Sequence, residues 1–268
     1  MKNFSIIIPI YNEAKILATQ IRRIVDKIDA LGSLGKYEIV LVENGSFDAT
    51  FQIAKRLQKQ YSQIKLVQIK EPSYGLAFKE GIKNAAYPVI VQFDIDFWDI
   101  GFLQKSIALL SKYDFVIGSK NLNGSIDKRT LIRRFFSKLI EVFIRLRFQV
   151  NISDTHGLKT LKRDKILPLI GDMSCTNHFF DSELLLHSIS AGQTFTELAV
   201  SLKELRKSRF SFLVRSMEVL QEFAKLLTCD LGLRKNIYDV IPAKLVLDSD
   251  RGAGIHSLKI MDPASSAG

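Results

Sequence analysis

The chain has 268 residues, 47% hydrophobic and 25% charged, which excludes a disordered polypeptide and suits one domain with additions. Lysine and arginine exceed aspartate and glutamate by 38 − 28 = 10, so the expected partners are anionic: a nucleotide, a phosphate group, an anionic membrane surface or nucleic acid. The two cysteines, Cys175 and Cys229, form neither a disulfide framework nor a metal-ligand pattern, and no apolar run reaches the roughly 18 residues of a transmembrane helix. The apolar stretch near the start, in MKNFSIIIPIYNEA, is too short for a signal-peptide core and is followed at once by Glu13. A reducing, cytoplasmic compartment is the expectation.

Strand-like and helix-like patterns alternate through the first half. FSIIIPI (4–10) is a β-branched run that predicts a buried strand. Asn12 is positioned to cap a helix whose apolar residues, Ile16, Leu17, Ile21, Ile24, Val25 and Ile28, recur at helical spacing. YEIVLVE (37–43) predicts a second strand, and after the NGS turn Ser46 or Asp48 can cap a helix carrying Phe51, Ala54 and Leu57. IKLVQI (64–69) reads as a third strand, 75–86 as a helix, VIVQF (89–93) as a fourth strand, 103–110 as a helix and FVIGS (115–119) as a fifth strand. This order predicts an α/β fold with an open, mostly parallel sheet flanked by helices, and ligands on such sheets bind at the carboxyl ends of the strands. The second half contains amphipathic helical segments at 131–148 and 210–231, a helix at 182–190 and a short strand at 194–200. The lysines of 159–165 read as a solvated face, and 234–268 as a tail of uncertain order after a domain spanning 1–233.

The strand ends carry polar groups suited to a nucleotide. Pro9, Tyr11 and Glu13 follow the first strand, Asn44 the second, Asp94-Ile95-Asp96 the fourth and Lys120 the fifth. An aromatic ring stacks on a base or ribose, and amide and carboxylate oxygens accept from base N–H groups or ribose hydroxyls. Two aspartates one residue apart repel each other unless a cation intervenes. Mg²⁺ or Mn²⁺ takes hard oxygen ligands and is commonly shared between one or two carboxylates and substrate phosphates. The alternative is a strand-end turn with solvated aspartates. Trp98 is open between packing on a sugar and packing in the core, His156 between touching substrate and a structural place, and Gly75 and Gly81 are expected to permit close backbone approach.

These stretches resemble the family 2 glycosyltransferases of GT-A fold, and among them the polyprenyl- or dolichyl-phosphate sugar synthases. The resemblance rests on IIIPIYNEA (6–14), EIVLVENGSFDAT (38–50), YGLAFKEGIKNA (74–85), FDID (93–96), IGSK (117–120), RRFFS (133–137), DTHGLKTLKR (154–163), FFDSELL (179–185) and ELAV with a later arginine and serine (197–211), in family order. It implies that Pro9, Tyr11 and Glu13 hold the nucleoside and that Val42 and Asn44 contact the base. It implies further that Asp94, Ile95 and Asp96 bind nucleotide and metal, and that Lys120, Arg133, Ser137 and Arg206 meet the phosphates. Departures are also present: Asn44 stands for a frequent aspartate, Lys120 for an arginine, Trp98 for the glutamine of many mannose synthases, and DTHGLK is one residue shorter than the form in glucose synthases, although FFDSELL leans toward that branch.

The implied reaction is transfer of a sugar, with inversion, from a nucleotide diphosphate sugar to a polyprenyl phosphate at the cytoplasmic membrane face. Segment 131–148, and with weaker support 210–231, would lie in the lipid interface, the alternatives being core helices or dimer contacts. A phosphate acceptor is already anionic and needs positioning rather than a base. A hydroxyl acceptor, as in polysaccharide synthesis, needs a carboxylate, for which Asp154 and Asp181 are the candidates. A non-catalytic nucleotide-sugar-binding module is the remote alternative, and no nucleic acid partner is expected.

Overall fold

The computed structural model describes residues 2–32, 34–119, 152–155, 157–177 and 179–200. The segments 131–148, 210–231 and 234–268, together with Lys120, Arg133, Ser137, His156 and Arg206, lie outside these residues.

The elements run β1 (Phe4–Ile10), α1 (Leu17–Asp29), β2 (Tyr37–Asn44), α2 (Thr50–Gln60), β3 (Ile64–Ile69), α3 (Tyr74–Asn84), β4 (Val89–Gln92), α4 (Ile100–Leu109), β5 (Phe115–Ser119), β6 (Leu158–Lys162), α5 (Arg163–Ile166), α6 (Phe180–Ser190) and β7 (Phe195–Ala199). Among the described residues they form one sheet of order β3-β2-β1-β4-β6-β5-β7. All pairings are parallel except those of β6, which runs antiparallel to both β4 and β5. The α/β, mostly parallel architecture expected from the sequence is present.

Side-chain alternation along the central strands divides the core in two. On one face Phe4, Ile6, Ile8 and Ile10 of β1 pack with Ile39 and Leu41 of β2, covered by Leu17, Ile21 and Ile24 of α1 and Phe102 and Leu103 of α4. On the other face Ile7, Val40 and Val42 pack under Phe78 and Ile82 of α3 and Phe180 and Leu184 of α6. A strand buried on both faces offers its polar neighbours one outlet, the loop beyond its end.

Three sequence expectations change. The stretch 158–162 is a strand, and its first lysine, Lys159, is 1% exposed rather than solvated. Lys162 pairs with Asp114 at 2.9 Å, and the Arg163 guanidinium donates from Nε to the Ile82 carbonyl at 3.0 Å. Asn12 does not cap α1, which begins after Ile16 without a side-chain cap. Neither Ser46 nor Asp48 occupies the cap position of α2, which is Ala49, although Asp48 Oδ1 accepts from the Thr50 N–H at 2.9 Å. The caps that do form are Ser73, whose hydroxyl accepts from Leu76 N–H at 3.3 Å, and Asp99, whose carboxylate accepts from Phe102 N–H at 2.9 Å.

Gly75 and Gly81 permit the close approach expected of them. A Cβ at Gly75 would lie 2.5 Å from the Phe180 ring and 2.7 Å from the Thr176 carbonyl oxygen, and one at Gly81 would lie 2.4 Å from Ile7. Alanine gains roughly 1 kcal/mol over glycine within a helix, but overpacking costs about 1–3 kcal/mol, and the Thr176 carbonyl cannot rotate away as a side chain can. Gly75→Ala is therefore expected to lower stability by about 2 kcal/mol in chemical denaturation. Gly171→Ala, whose Cβ would meet nothing within 4 Å, is the neutral control.

Candidate active site

The carboxyl edge of the sheet gathers the predicted residues from three adjacent strands. β1 lies between β2 and β4, with Pro9 opposite Val42 and Ile10 opposite Glu43. Tyr11 and Asn44 therefore follow side by side. The loop after β1 and the loop after β2 are joined by cross-loop hydrogen bonds. Asn12 N–H donates to Ser46 Oγ at 3.0 Å, and Phe47 N–H returns a bond to Asn12 Oδ1 at 3.0 Å. Glu13 N–H donates to Thr50 Oγ1 at 2.7 Å, and Ala14 N–H to Asp48 Oδ2 at 3.2 Å. Asn12 adopts φ 55°, a conformation that asparagine tolerates better than most side chains, and its two cross-loop bonds hold it there. The residues read as caps thus serve to join two loops.

Val42 is buried with its side chain in the core beneath α3, and its backbone lies in the ladder between β1 and β3. Asn44 is also buried, and its Oδ1 accepts from the Ser73 N–H at 2.7 Å. That bond fixes the amide orientation, assigns the carbonyl to the start of α3 and leaves the NH₂ as the end not engaged in it. Glu43, buried beside it, accepts from Ser46 N–H at 2.6 Å and from Gln68 Nε2 at 3.0 Å. Tyr11 meets Phe47 edge to face, with ring centroids 6.2 Å apart.

On the other side of β1, the ladder continues one residue past β4 as Phe93 N–H donates to the Ile7 carbonyl at 3.1 Å. The chain then reverses. Asp94 and Phe97 exchange two backbone hydrogen bonds, each 3.0 Å, with Ile95 and Asp96 at the tip. Ile95 is buried in the core and anchors this turn, while Asp94 and Asp96 are partly exposed. Among the described residues no group of three or more His, Cys, Asp and Glu side chains is placed to hold a metal ion. Two carboxylates on one tight turn nevertheless fit Mg²⁺ or Mn²⁺, provided substrate phosphates and water supply the remaining ligands.

A buried polar network supports this edge. Gln92 Nε2 donates to the Tyr74 hydroxyl, which lies 3.5 Å from Asp181 Oδ2. Lys159 Nζ stands 3.2 Å from Asp181 Oδ1 and donates to the Gly157 carbonyl at 2.9 Å. Burial, with the charges of Asp181 and Asp94 beside it, pushes the Tyr74 phenol well above its ordinary range. Asp181 is 5% exposed and its charge is balanced by Lys159, an arrangement that suits holding α6 against the sheet. Asp154 is placed by Glu197 of β7, whose carboxylate accepts from the main chain of Asp154 and, at 2.9 Å, of Ser153. Burial and the Asp154 charge raise the Glu197 carboxyl above its usual range. Trp98 takes the core alternative: Nε1 donates to Gln20 at 3.2 Å and the Arg23 guanidinium lies 5.8 Å from its ring.

The sequence offered no signal for Tyr74, Lys159 or Glu183 beyond their place in the matched motifs. Glu183 is fully buried on α6 and accepts from Ser174 N–H at 2.8 Å, Ser174 Oγ at 3.0 Å and Cys175 N–H at 2.7 Å.

A sequence profile described as Glycosyl transferase family 2 matches residues 5–185. The chain belongs to glycosyl transferase family 2. That membership makes it a nucleotide-sugar-dependent glycosyltransferase, as the motifs implied. The family-2 chain is 28% identical over 219 residues to dolichyl-phosphate beta-glucosyltransferase ALG5D of Trichomonas vaginalis, covering 76% of this chain and 67% of that protein. It is 25% identical over 201 residues to glycosyltransferase AglD of Haloferax volcanii, covering 73% of this chain and 32% of AglD. The name of ALG5D agrees with the polyprenyl-phosphate sugar synthase type. Glucosyl-3-phosphoglycerate synthase from Mycobacterium tuberculosis, solved with Mn²⁺, UDP and glucosyl-3-phosphoglycerate, superposes with a TM-score of 0.64 at 15% identity, over 88% of this chain and 82% of that one. Mannosyltransferase PcManGT from Pyrobaculum calidifontis, solved with GDP-Man and Mn²⁺, superposes with a TM-score of 0.56 at 19% identity, over 84% of this chain and 64% of that one. At such identities these structures establish the shared fold.

Burial opposes ionisation of Glu183, but the donors from His187, Ser174 and Cys175 prevail and hold its carboxyl at about 2 against an ordinary 4.5. A depressed carboxyl stabilises the fold above its unfolded pKa, and that contribution is lost as pH falls from about 4.5 through 2, on the order of 3 kcal/mol in all. Glu183→Gln is expected to be less stable than wild type at pH 7 by an amount of this order. Urea denaturation across pH 2–7 should show the difference shrinking toward pH 2, and a pH-independent difference would refute the assignment.

Proposed function

We propose that this glycosyltransferase moves a sugar from a nucleotide diphosphate sugar to a polyprenyl phosphate, with inversion at the anomeric carbon. The observation carrying the proposal is the Asp94–Phe97 turn at the end of β4, one strand away from the joined β1 and β2 loops. Tyr11, Asn44 and the backbone of Val42 would receive the nucleoside, with Pro9 and Glu13 shaping its floor. The diphosphate would extend across β1 toward Asp94 and Asp96.

Asp94 and Asp96 would hold Mg²⁺ or Mn²⁺, which supplies Lewis-acid stabilisation of the diphosphate leaving group. Lys120, Arg133, Ser137 and Arg206 would add donors and positive charge to donor and acceptor phosphates. An acceptor phosphate oxygen then attacks the anomeric carbon from the face opposite the diphosphate. The new C–O bond forms as the bond to the nucleoside diphosphate breaks, and the nucleoside diphosphate departs as an anion. No strong base is needed, in keeping with the balanced, buried state of Asp181. Asp154, whose main chain is held by Glu197 of β7, is the carboxylate that would take the proton were the acceptor a hydroxyl instead.

The name of ALG5D, a dolichyl-phosphate glucosyltransferase, supports a lipid phosphate as acceptor. Among the described residues no helix is long and apolar enough to cross a membrane. Peripheral contact with the cytoplasmic membrane face through 131–148, and through 210–231, is part of the proposal.

The test is turnover of UDP-, GDP- and dTDP-sugars with Mg²⁺ or Mn²⁺, with and without undecaprenyl or dolichyl phosphate. Metal-dependent transfer to the lipid phosphate is expected, reduced by about 100-fold or more in Asp96→Ala. Donor hydrolysis without lipid product would move the reading to a hydroxyl acceptor, and absence of any donor turnover or binding would overturn it.

A further inference from the structure

Phe47 is the most exposed large hydrophobic side chain among the described residues, at 85%. An isolated exposed phenyl ring is ordinary on a protein surface. The backbone that carries this one is held in place. Its N–H is bound by Asn12 Oδ1, the preceding Ser46 accepts from Asn12 N–H, and Asn12 itself adopts a left-handed backbone. Asp48, the next residue, is bound to Ala14 and Thr50. The ring stands at 86° to Tyr11, with centroids 6.2 Å apart.

Two rings at a right angle form a corner. A planar base laid against the face of one ring meets the other along its edge, so the pair fixes both tilt and depth. The corner opens at the ends of β1 and β2, while the paired aspartates stand after β4. The β2 and β4 backbones are two strand spacings apart, roughly 10 Å, a span comparable to the reach from base to diphosphate.

We propose that Phe47 is a second aromatic contact for the base of the donor nucleotide, completing with Tyr11 a right-angled bracket that sets donor affinity. This inference rests on the nucleotide-sugar reading of the same edge. Base-on-ring contact is sequence-tolerant, because every base offers a π-face, so Phe47 sets affinity for nucleosides in general and leaves the choice of base to polar groups such as Asn44.

The test is calorimetric titration of the full chain, in Mn²⁺, with UDP, GDP and dTDP, and separately with inorganic pyrophosphate, which lacks a base. Phe47→Ala and Phe47→Leu are compared with wild type, and Phe47→Trp restores a ring. Removal of the ring is expected to weaken the best-bound nucleoside diphosphate about five- to fiftyfold, to leave pyrophosphate unchanged, and to be reversed by Phe47→Trp. Equal nucleotide affinity in wild type and Phe47→Ala overturns the inference while leaving the functional reading intact. Equal weakening of pyrophosphate overturns it also, since the loss would then lie in the loop and not in base contact. If wild type binds pyrophosphate but none of the nucleotides more tightly, no base subsite exists and both readings fail. If Phe47→Ala leaves nucleotide binding unchanged but reduces sedimentation with vesicles containing undecaprenyl phosphate, the ring is a lipid contact instead.

Discussion

Burial of β1 on both faces is the constraint on which the site depends. Apart from Ser5 near its start, its side chains alternate between two apolar layers, which leave little room for polar chemistry beside the strand. Polar groups can collect only where the strand ends, and parallel neighbours make their own ends fall at the same edge. The register of Ile10 against Glu43, and of Ile7 against Gln92, puts the loop after β1 between the amide of Asn44 and the turn of Asp94 and Asp96. Hydrophobic burial, which is non-directional, thus produces a directed arrangement of polar groups because strand register converts it into one.

Several charged groups that lie inside are paired. Glu183 carries the loop at 174–175, Lys159 and Asp181 balance each other, and Glu197 holds the chain at Ser153 and Asp154. The last two join segments distant in sequence, and Glu183 ties the loop before α6 to that helix. An unpaired charge in these positions would cost several kcal/mol, so the pairings specify where α6 and residues 153–155 sit relative to β4. Among the described residues, these pairings tie the edge together through side chains rather than through a ligand.

Much of this was legible in the sequence. β-branched runs marked β1 to β5, and helical spacing marked α1 and α2, because those elements owe their form to burial on a regular period. The position of FDID at the carboxyl end of an apolar strand was legible for the same reason, since burial on both faces leaves its carboxylates to the turn beyond β4. What sequence patterns could not show was pairing. β6 contains two lysines, and Lys159 is compatible with a buried strand only because Asp181 lies beside it. Asn12, Ser46 and Asp48 have the chemistry of helix caps, and it took the proximity of two loops to redirect their bonds across the site. Nor could sequence patterns show that the Asn44 carbonyl is bound by the Ser73 N–H, which leaves its NH₂ as the end to face a base.

The central claim is that this edge builds a shared site for metal and diphosphate, in which two carboxylates are too few to bind the ion well alone. Titration of Mn²⁺ followed by its electron paramagnetic resonance signal tests this directly. The account predicts little loss of the free Mn²⁺ signal with protein alone and, when UDP, GDP or dTDP is added, a stoichiometric loss beyond that caused by the nucleotide without protein, this excess being absent in Asp94→Asn. Mn²⁺ binding that is equally tight without any nucleotide, or that survives Asp94→Asn unchanged, would contradict it.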